Sequence, residues 1–312
     1  MWHTSATLSA QCISEEIMDS ISCKAYGKIN LSLDVVGKRA DGYHLVRMVM
    51  QQVGICDSIE IRKTEGTDIS VSTKSGEIPT GPDNLVFRAA DVMRKTFGIT
   101  DGLSIHLVKR IPVAAGMAGG SSDAAAVFRG IRDLYGLPAD NRRLEELALP
   151  LGADIPYCIA GGTQLSEGIG EILTVLPPSP SCTLLVVKPD LYIATPAVYK
   201  AFDHIPEREV IHPDVDAQVN AIRKGDLFGV AKTCGNVLEQ QTGADHPVIG
   251  QLEHFFMEHG ALQSIMTGSG PTVFAIYEDR EKARQAMEEL KKVESFAPFQ
   301  KFVTGFVSGI DA

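Results

Sequence analysis

The sequence has no long apolar run, no paired cysteine motif and no excess of positive charge. None of its 312 residues lies in an uninterrupted apolar stretch of about 18, so no membrane-spanning helix is predicted. The formal net charge is −10, which disfavours binding to nucleic acid or to a membrane surface, because both are negatively charged. A small anionic ligand held at a local site is not excluded by this charge.

Six cysteines are scattered without a Cys-x-x-Cys pair or a metal-ligand spacing, and no metal site is predicted. The N-terminus lacks the basic segment and apolar core of a signal peptide. These absences favour reduced thiols and a cytoplasmic protein. A monomer or a homodimer is expected. Residues 1–20 are predicted to form a disordered extension. Met18 is an alternative start, because regular patterning begins only after it.

Two common nucleotide-binding signatures are missing as well. There is no Gly-x-x-x-x-Gly-Lys-Ser/Thr, which excludes a P-loop protein, and no Gly-x-Gly-x-x-Gly opens a βαβ unit. Instead, residues 112–122, here called the glycine loop, join an apolar strand to an alanine-rich helix. Between Ala114 and Gly120 the loop holds only alanine, glycine and one methionine, so another molecule could approach its backbone closely.

The helix after the glycine loop is predicted to be capped by Ser121, Ser122 and Asp123. A helix start presents free N–H groups and the positive end of the helix dipole, which together favour an anion such as phosphate. An ordinary, well-capped strand-to-helix turn is the alternative interpretation. Glycine-rich turns are common, so the loop alone does not decide between the two.

Hydrophobic periodicity predicts an α+β architecture in each half of the chain. Residues 29–35 are predicted to form a half-buried strand with Ile29, Leu31, Leu33 and Val35 on one face. The run Pro177–Pro180 is the clearest linker and divides the chain into predicted domains 21–178 and 179–312. Further predictions are an antiparallel run including strands 58–62 and 68–72, a helix at 84–97 capped by Asp83 and ended by Gly98, a turn at 151–158 and a helix at 227–240.

Four further features could carry chemistry, although each also has an ordinary structural interpretation. Lys28 starts an apolar strand, where an exposed strand-end lysine is usual, and Asp154 lies in a tight apolar turn, where an aspartate often caps an amide. His44 follows a tyrosine and could stack on a base or be an ordinary loop histidine. Residues 267–271, Thr-Gly-Ser-Gly-Pro, are called the C-terminal loop; they could receive phosphate oxygens or be a plain turn.

In combination, these segments resemble the GHMP small-molecule kinases. The glycine loop is similar to the phosphate-binding signature of that family, and residues 25–31 and the C-terminal loop are similar to its two other motifs. Within the family, the resemblance is strongest to members that act on a cytidyl diphosphate ester of methylerythritol. The discriminating segments are residues 28–31, 39–44, 82–85, 152–156 and 167–171.

The resemblance implies a two-domain fold and a kinase reaction. The N-terminal domain would be like domain 2 of ribosomal protein S5, and the C-terminal domain would be ferredoxin-like. ATP, accompanied by Mg²⁺, would phosphorylate the 2-hydroxyl of the cytidyl-diphosphate methylerythritol in the non-mevalonate isoprenoid pathway. Asp154 would accept the hydroxyl proton, and Lys28 would keep Asp154 ionised and stabilise the phosphoryl group during transfer.

The resemblance also implies which residues bind the two substrates. ATP would be bound by Asp83, Asn84, Pro112, Val113, Ala114, Ala115, Gly116, Met117, Ala118, Gly119, Gly120, Ser121 and Ser122. The acceptor would be bound by Asn30, Tyr43, His44, Thr195, Pro196, Thr267, Gly268, Ser269 and Gly270, with cytosine on Tyr43 and His44.

Three positions depart from the family pattern. Gly27 replaces an alanine or proline, Ala118 replaces a glycine, and Val237 replaces the aspartate that usually follows an asparagine. No magnesium carboxylate is evident in the motifs, so Mg²⁺ is expected to arrive on ATP. A homoserine or mevalonate kinase of the same family, or a non-catalytic nucleotide- or RNA-binding module, are the competing hypotheses.

Overall fold

The computed structural model describes residues 19–309 apart from residues 75 and 77. The predicted N-terminal extension therefore lies, up to Met18, outside the described residues. The described residues form eleven strands: β1 (Ser20–Lys38), β2 (His44–Thr64), β3 (Ile69–Thr73), β4 (Gly102–Val108), β5 (Thr163–Glu167), β6 (Ile172–Val175), β7 (Thr183–Lys188), β8 (Gly235–Asn236), β9 (Gln263–Met266), β10 (Val273–Tyr277) and β11 (Gln300–Thr304).

The same residues form ten α-helices, none of them long and apolar enough to cross a membrane. They are α1 (Leu85–Phe97), α2 (Gly119–Leu134), α3 (Asn141–Ala148), α4 (Asp154–Ala160), α5 (Thr195–Phe202), α6 (Val215–Lys224), α7 (Leu227–Lys232), α8 (Glu239–Asp245), α9 (Val248–Glu258) and α10 (Arg280–Lys292).

Two sheets form the framework, in agreement with the predicted α+β class. The first has the strand order β3-β4-β2-β1-β8, with β5 paired to β2 and β6 paired to β5. The second has the order β11-β7-β10-β9 and is antiparallel throughout. The prediction that residues 68–72 belong to an antiparallel run is wrong, because β3 pairs parallel with β4. The predicted strand at 58–62 is part of the longer β2.

The first sheet is covered on both faces. Helices α1 to α4 pack on one face, where Phe128 and Ile131 of α2 belong to the larger hydrophobic cluster. On the other face, Ile29 and Leu31 of β1 share a second cluster with Leu184 and Val186 of β7 and with residues of β10 and α6. The prediction of a half-buried strand is therefore wrong, because both faces of β1 are buried between layers.

A β-bulge explains why the predicted face of β1 is also wrong. The pairing of β1 with β2 shifts register between Asn30 and Ser32, which inserts one residue and reverses the side-chain alternation. Ile29 and Leu31 consequently pack in the second cluster, whereas Leu33 and Val35 pack in the first. The bulge also places Leu33 on the same cavity wall as Lys28 and Asn30.

The helix predicted for residues 227–240 is interrupted. Helix α7 ends at Lys232, and residues 235–236 form β8, which pairs parallel with Ser32 and Leu33 of β1 before α8 begins at Glu239. A Cβ on Gly235 would lie 2.6 Å from the side chain of Pro213, so the backbone passes too close for a larger residue. A long-range strand pairing thus overrides the local helical pattern.

Candidate active site

A cavity of about 530 Å³ lies where the glycine loop meets β1, the start of α1, Asp154 and the C-terminal loop. Most of the predicted site residues line it: Lys28, Asn30, Asp83, Asn84, Pro112, Val113, Ala114, Ala115, Gly116, Ala118, Gly119, Gly120, Ser121, Asp154, Thr195, Gly268 and Ser269. Four others, Met117, Ser122, Thr267 and Gly270, are buried behind this lining. Segments far apart in sequence therefore meet around one space.

The glycine loop adopts a left-handed conformation at Ala114, Gly116 and Ala118, with φ angles of 52°, 70° and 55°. The prediction that its hydroxyls and Asp123 cap α2 is wrong. The N-cap is Ala118, and no side chain caps this helix start in the described residues. Ser122 Oγ donates instead to the Tyr26 carbonyl at 2.7 Å, which fixes α2 to β1. The start of α2 thus keeps amide groups available for an anion beside the cavity.

The glycine loop and the C-terminal loop are in direct backbone contact. A Cβ on Gly116 would lie 2.6 Å from the carbonyl oxygen of Thr267, and a Cβ on Gly268 would lie 2.9 Å from the carbonyl oxygen of Gly116. Neither position has room for a side chain. A shift of either loop must therefore displace the other.

The resemblance to the GHMP kinases implies that the glycine loop binds ATP. We therefore expect the Gly116→Ala substitution to weaken ATP binding at least about tenfold and to lower stability by about 1–3 kcal/mol, because it adds strain and a backbone clash. Gly136→Ala is the matched control: Gly136 also has a positive φ, 58°, but no atom within 4 Å of its Cβ position. Thermal unfolding and titration with ATP distinguish the two variants. Equal ATP affinities in the two variants would contradict the importance of the contact.

Lys28, from β1, and Asp154, from α4, line the same cavity. Lys28 Nζ donates to Asn30 Oδ1 at 2.7 Å, and the Lys28 amide donates to the Met117 carbonyl at 3.1 Å. Lys28 is only 5% exposed, so the predicted alternative of an exposed strand-end lysine is wrong. Asp154 is the first residue of α4 rather than part of a turn, and there the helix dipole favours its negative charge. Within residues 19–309 as described, no ion pair joins the two side chains.

The cap of α1 also differs from the prediction. Asn84, and not Asp83, is the N-cap, and its Oδ1 accepts from the Val86 amide at 2.8 Å. Its Nδ2 donates to the Pro79 carbonyl at 2.6 Å, which fixes the loop before α1 at the cavity edge. The helix ends at Gly98 with φ 66°, as predicted.

A buried charged cluster, which the sequence did not reveal, supports the entry to the glycine loop. Lys109 Nζ lies 2.5 Å from Asp57 Oδ2 and 2.5 Å from Asp123 Oδ2, and all three side chains are at most 6% exposed. Asp57 Oδ1 also accepts from the amides of Arg110 and Ile111. The cluster therefore joins β2, the residue directly after β4, and α2. No local spacing relates Asp57 to the other two residues.

The cluster makes stability depend on pH. Burial raises the pKa of the Asp123 carboxyl from 3.8 to about 8, Lys109 opposes this rise, and Asp57 adds to it. Asp123 Oδ1 has no hydrogen-bond partner among the described residues. Because the folded protein holds this proton more tightly than the unfolded chain, the stabilisation is complete below about pH 4 and is lost as the pH rises towards 8.

We therefore expect the free energy of unfolding of the wild type to fall relative to that of Asp123→Asn between pH 4 and pH 8. Urea unfolding at several pH values measures this difference. The control is Asp68→Asn, which changes an exposed aspartate directly before the distant β3. A constant difference between the wild type and Asp123→Asn across this range would show that Asp123 stays ionised.

A second cavity of about 480 Å³ adjoins the first and shares Val46, Ile169, Thr195 and Tyr199 with it. It contains the remaining predicted acceptor residues, Tyr43, His44 and Pro196. The ring centroids of His44 and Tyr199 lie 4.9 Å apart with their planes tilted by 30°, and His44 Nε2 lies 2.7 Å from Asp203 Oδ1. Tyr43 is 61% exposed at the cavity rim. The two cavities together could hold two substrates that meet near Thr195.

The residues of the second cavity that the sequence did not reveal include Lys38, Tyr199 and Asp203. Lys38 Nζ lies 2.5 Å from Asp203 Oδ2, and hydrogen bonds from Lys38 and His44 lower the pKa of the Asp203 carboxyl. Burial raises the pKa of Tyr199 to about 12. Lys38 and His44 flank the β1–β2 turn, whereas Tyr199 and Asp203 come from α5, so only the fold brings them together. The described residues contain no cluster of three or more His, Cys, Asp or Glu that could hold a metal ion.

Comparison with known proteins agrees with this arrangement. Residues 84–162 match the family model of the GHMP kinases N terminal domain, and residues 219–295 match that of the GHMP kinases C terminal domain. The chain is 46% identical over 291 residues to the 4-diphosphocytidyl-2-C-methyl-D-erythritol kinase of Lachnoclostridium phytofermentans, covering 93% of this chain and 98% of that protein. The chain belongs to this kinase family.

Other relatives and solved structures extend the comparison. The kinase of the same name from Alkaliphilus metalliredigens is 41% identical over 273 residues, 88% of this chain and 93% of that protein. A crystal structure of a 4-(cytidine 5'-diphospho)-2C-methyl-D-erythritol kinase superposes with a TM-score of 0.79 at 30% identity, covering 93% of this chain and all of that one. Homoserine kinase from Cytophaga hutchinsonii shares the fold, with a TM-score of 0.75 at 18% identity, over 97% of this chain and 98% of its own.

Proposed function

We propose that this protein transfers the γ-phosphoryl group of ATP to the 2-hydroxyl of 4-diphosphocytidyl-2-C-methyl-D-erythritol, in the non-mevalonate isoprenoid pathway. The observation that carries the proposal is the pair of adjoining cavities, one bordered by the glycine loop and the other by His44 and Tyr199. Lys28 and Asp154 lie in the first cavity. Membership of the kinase family supports the same reaction.

The glycine loop would bind the polyphosphate of ATP. Its small residues let phosphate oxygens approach the backbone, and the uncapped start of α2 supplies amide donors and a positive dipole end. This local arrangement does not require a basic protein, so it is compatible with the net charge of −10. Asp83 and Asn84 border the same cavity at the start of α1, where the adenosine would lie.

Asp154 would act as the general base, and Lys28 would stabilise negative charge. Asp154 would accept the proton of the 2-hydroxyl while the oxygen of that hydroxyl forms a bond to the γ-phosphorus. The bond from that phosphorus to the bridging oxygen would break, and ADP would leave. Such a reaction depends mainly on positioning and charge stabilisation. The hydrogen bond from Lys28 to Asn30 would hold the ammonium in place.

Mg²⁺ is proposed to enter with ATP. It favours oxygen ligands and commonly uses substrate phosphates with one or two protein carboxylates. Ser121 and Asp154 line the cavity and carry suitable oxygens, which fits a metal held mostly by the nucleotide. When bound, the ion would neutralise charge on the phosphates.

The second cavity would bind the cytidine. The rings of His44 and Tyr199 offer flat surfaces for a base, and Asp203 fixes the orientation of His44. Base stacking on one ring is worth about 1–3 kcal/mol. Asn30 would orient the hydroxyl end, because its side chain lies beside Lys28 in the first cavity.

We expect His44→Ala to raise the KM for the cytidyl substrate about tenfold or more and to leave the KM for ATP within about twofold, because only the acceptor loses its stacking partner. His254→Ala, at a side chain 75% exposed on α9, is the matched control. Steady-state kinetics with each substrate varied in turn measures both constants. A similar rise in both KM values would place His44 outside an acceptor-specific site.

The substrate assignment is tested by coupled ADP release with three alcohols. Turnover with the cytidyl substrate, and none with homoserine or mevalonate, is the expected result. Turnover with homoserine or mevalonate alone would move the protein to another branch of the GHMP kinases. Tight RNA binding in a gel-shift experiment, without kinase activity, would favour a non-catalytic module instead.

A further inference from the structure

Asn236 holds the segment that precedes and enters the C-terminal loop. Its Nδ2 donates two hydrogen bonds, to the carbonyl oxygens of Met266 and Gly268, each at 2.9 Å. Its Oδ1 accepts from the Leu238 amide at 3.1 Å, which fixes the orientation of the amide group. A single side chain thus ties the end of β9 and the C-terminal loop to β8.

Two further hydrogen bonds restrain the same segment. Glu239 Oε2 accepts from the Met266 amide at 2.6 Å, and the Asn30 amide donates to Thr267 Oγ1 at 2.9 Å. Met266 and Thr267 are fully buried. The segment is therefore fixed from α8 and from β1 as well as from β8.

This restrained segment presses directly on the glycine loop. A Cβ on Gly116 would meet the carbonyl oxygens of Thr267 and Gly270, and a Cβ on Gly268 would meet the carbonyl oxygen of Gly116. Asn236 itself does not line either of the two substrate cavities. Asn236 therefore acts on a bound nucleotide through the C-terminal loop, which contacts Gly116 and whose Gly268 lines the first cavity.

We propose that Asn236 is a positioning residue that sets the shape of the glycine loop, and thereby the affinity for the phosphate groups of ATP, by holding Met266 and Gly268. The inference rests on the proposed function, in which the glycine loop binds the polyphosphate. It also gives a role to the region around Val237, where the sequence departs from the family pattern. The valine side chain is buried in the core, while its neighbour Asn236 carries the loop contacts.

The test uses Asn236→Asp, which keeps the shape and the Oδ1 acceptor but replaces the two donated hydrogen bonds with repulsion between oxygens. Asn220→Asp, at an exposed position on α6, is the matched control. Dissociation constants for ATP and for adenosine are measured by calorimetry without an acceptor, together with the midpoint of thermal unfolding. Asn236→Ala, which introduces no charge, replaces Asn236→Asp if that variant does not fold.

We expect Asn236→Asp to weaken ATP binding about tenfold, which is roughly 1.4 kcal/mol at 25 °C, and to change the affinity for adenosine by less than about twofold. The control should match the wild type for both ligands. Unchanged ATP affinity overturns the proposal, and so does an equal loss for ATP and adenosine, since that would show a general structural effect.

The experiment also separates this proposal from the proposed function. Wild-type protein that binds no ATP would refute both. Wild-type protein that binds ATP but does not phosphorylate the cytidyl substrate would refute only the proposed acceptor, and the comparison of Asn236→Asp with the wild type would still decide the role of Asn236.

Discussion

Replacing Asp154 with asparagine is expected to lower kcat by about two to four orders of magnitude, the usual contribution of a general base. Asparagine has the same shape and suits the first turn of α4, but it cannot accept the hydroxyl proton. The KM values for both substrates should change little, because the cavity lining keeps its form. Steady-state kinetics combined with thermal unfolding measures both effects.

The control for this substitution is Asp68→Asn, which removes one negative charge from an exposed position and should leave kcat unchanged. Asp154→Asn that retains at least a third of the wild-type kcat would remove Asp154 from proton transfer. A large fall in its midpoint of unfolding would instead assign the loss of activity to folding.

Replacing Lys28 with methionine is expected to lower kcat by about two to three orders of magnitude, because the buried ammonium can no longer stabilise charge on the transferring phosphoryl group. Methionine keeps a similar stem length inside the core. It leaves Asn30 Oδ1 without its donor, so a moderate loss of stability is expected as well. Rapid-quench measurement of a single turnover isolates the chemical step.

Lys224→Met changes an exposed lysine at the end of α6 and is the matched control. If Lys28 and Asp154 act on the same step, the double variant should be much less impaired than the product of the two single effects predicts. Fully multiplicative losses would contradict joint action at one transition state.

Local sequence signals predicted the elements that surround the site. Each of these signals determines structure within a single turn or strand. They are the apolar run of β4, the small residues after it and the glycine at position 98. The sequence therefore predicted α1, β4 and α2 correctly. The cavity that unites Lys28, Asp154 and the glycine loop was expected only from the resemblance to a family. Each of these residues has a common structural interpretation by itself.

What the sequence could not predict depends on contacts between distant segments. The bulge near Leu31 moves the side chains of Leu33 and Val35 to the opposite face of β1 from Ile29 and Leu31. It is defined by the register of β1 with β2. The pairing of β8 with β1 interrupts a helical pattern, and Lys109 joins carboxylates that are 66 positions apart in sequence only through the packing of β2 and α2. Two of the side chains predicted to cap α2 instead form bonds with other segments: Ser122 donates to the Tyr26 carbonyl, and Asp123 accepts from Lys109.

The central claim is that the two adjoining cavities bring ATP and the 2-hydroxyl of the cytidyl substrate together. The most direct measurement is ³¹P nuclear magnetic resonance of the products formed from ATP, Mg²⁺ and 4-diphosphocytidyl-2-C-methyl-D-erythritol. We expect a new phosphate monoester on the 2-oxygen, formed in equal amount with ADP and at least about a hundredfold more slowly with Asp154→Asn. ADP formed without a phosphorylated cytidyl product, or phosphate attached to a different hydroxyl, would contradict the account.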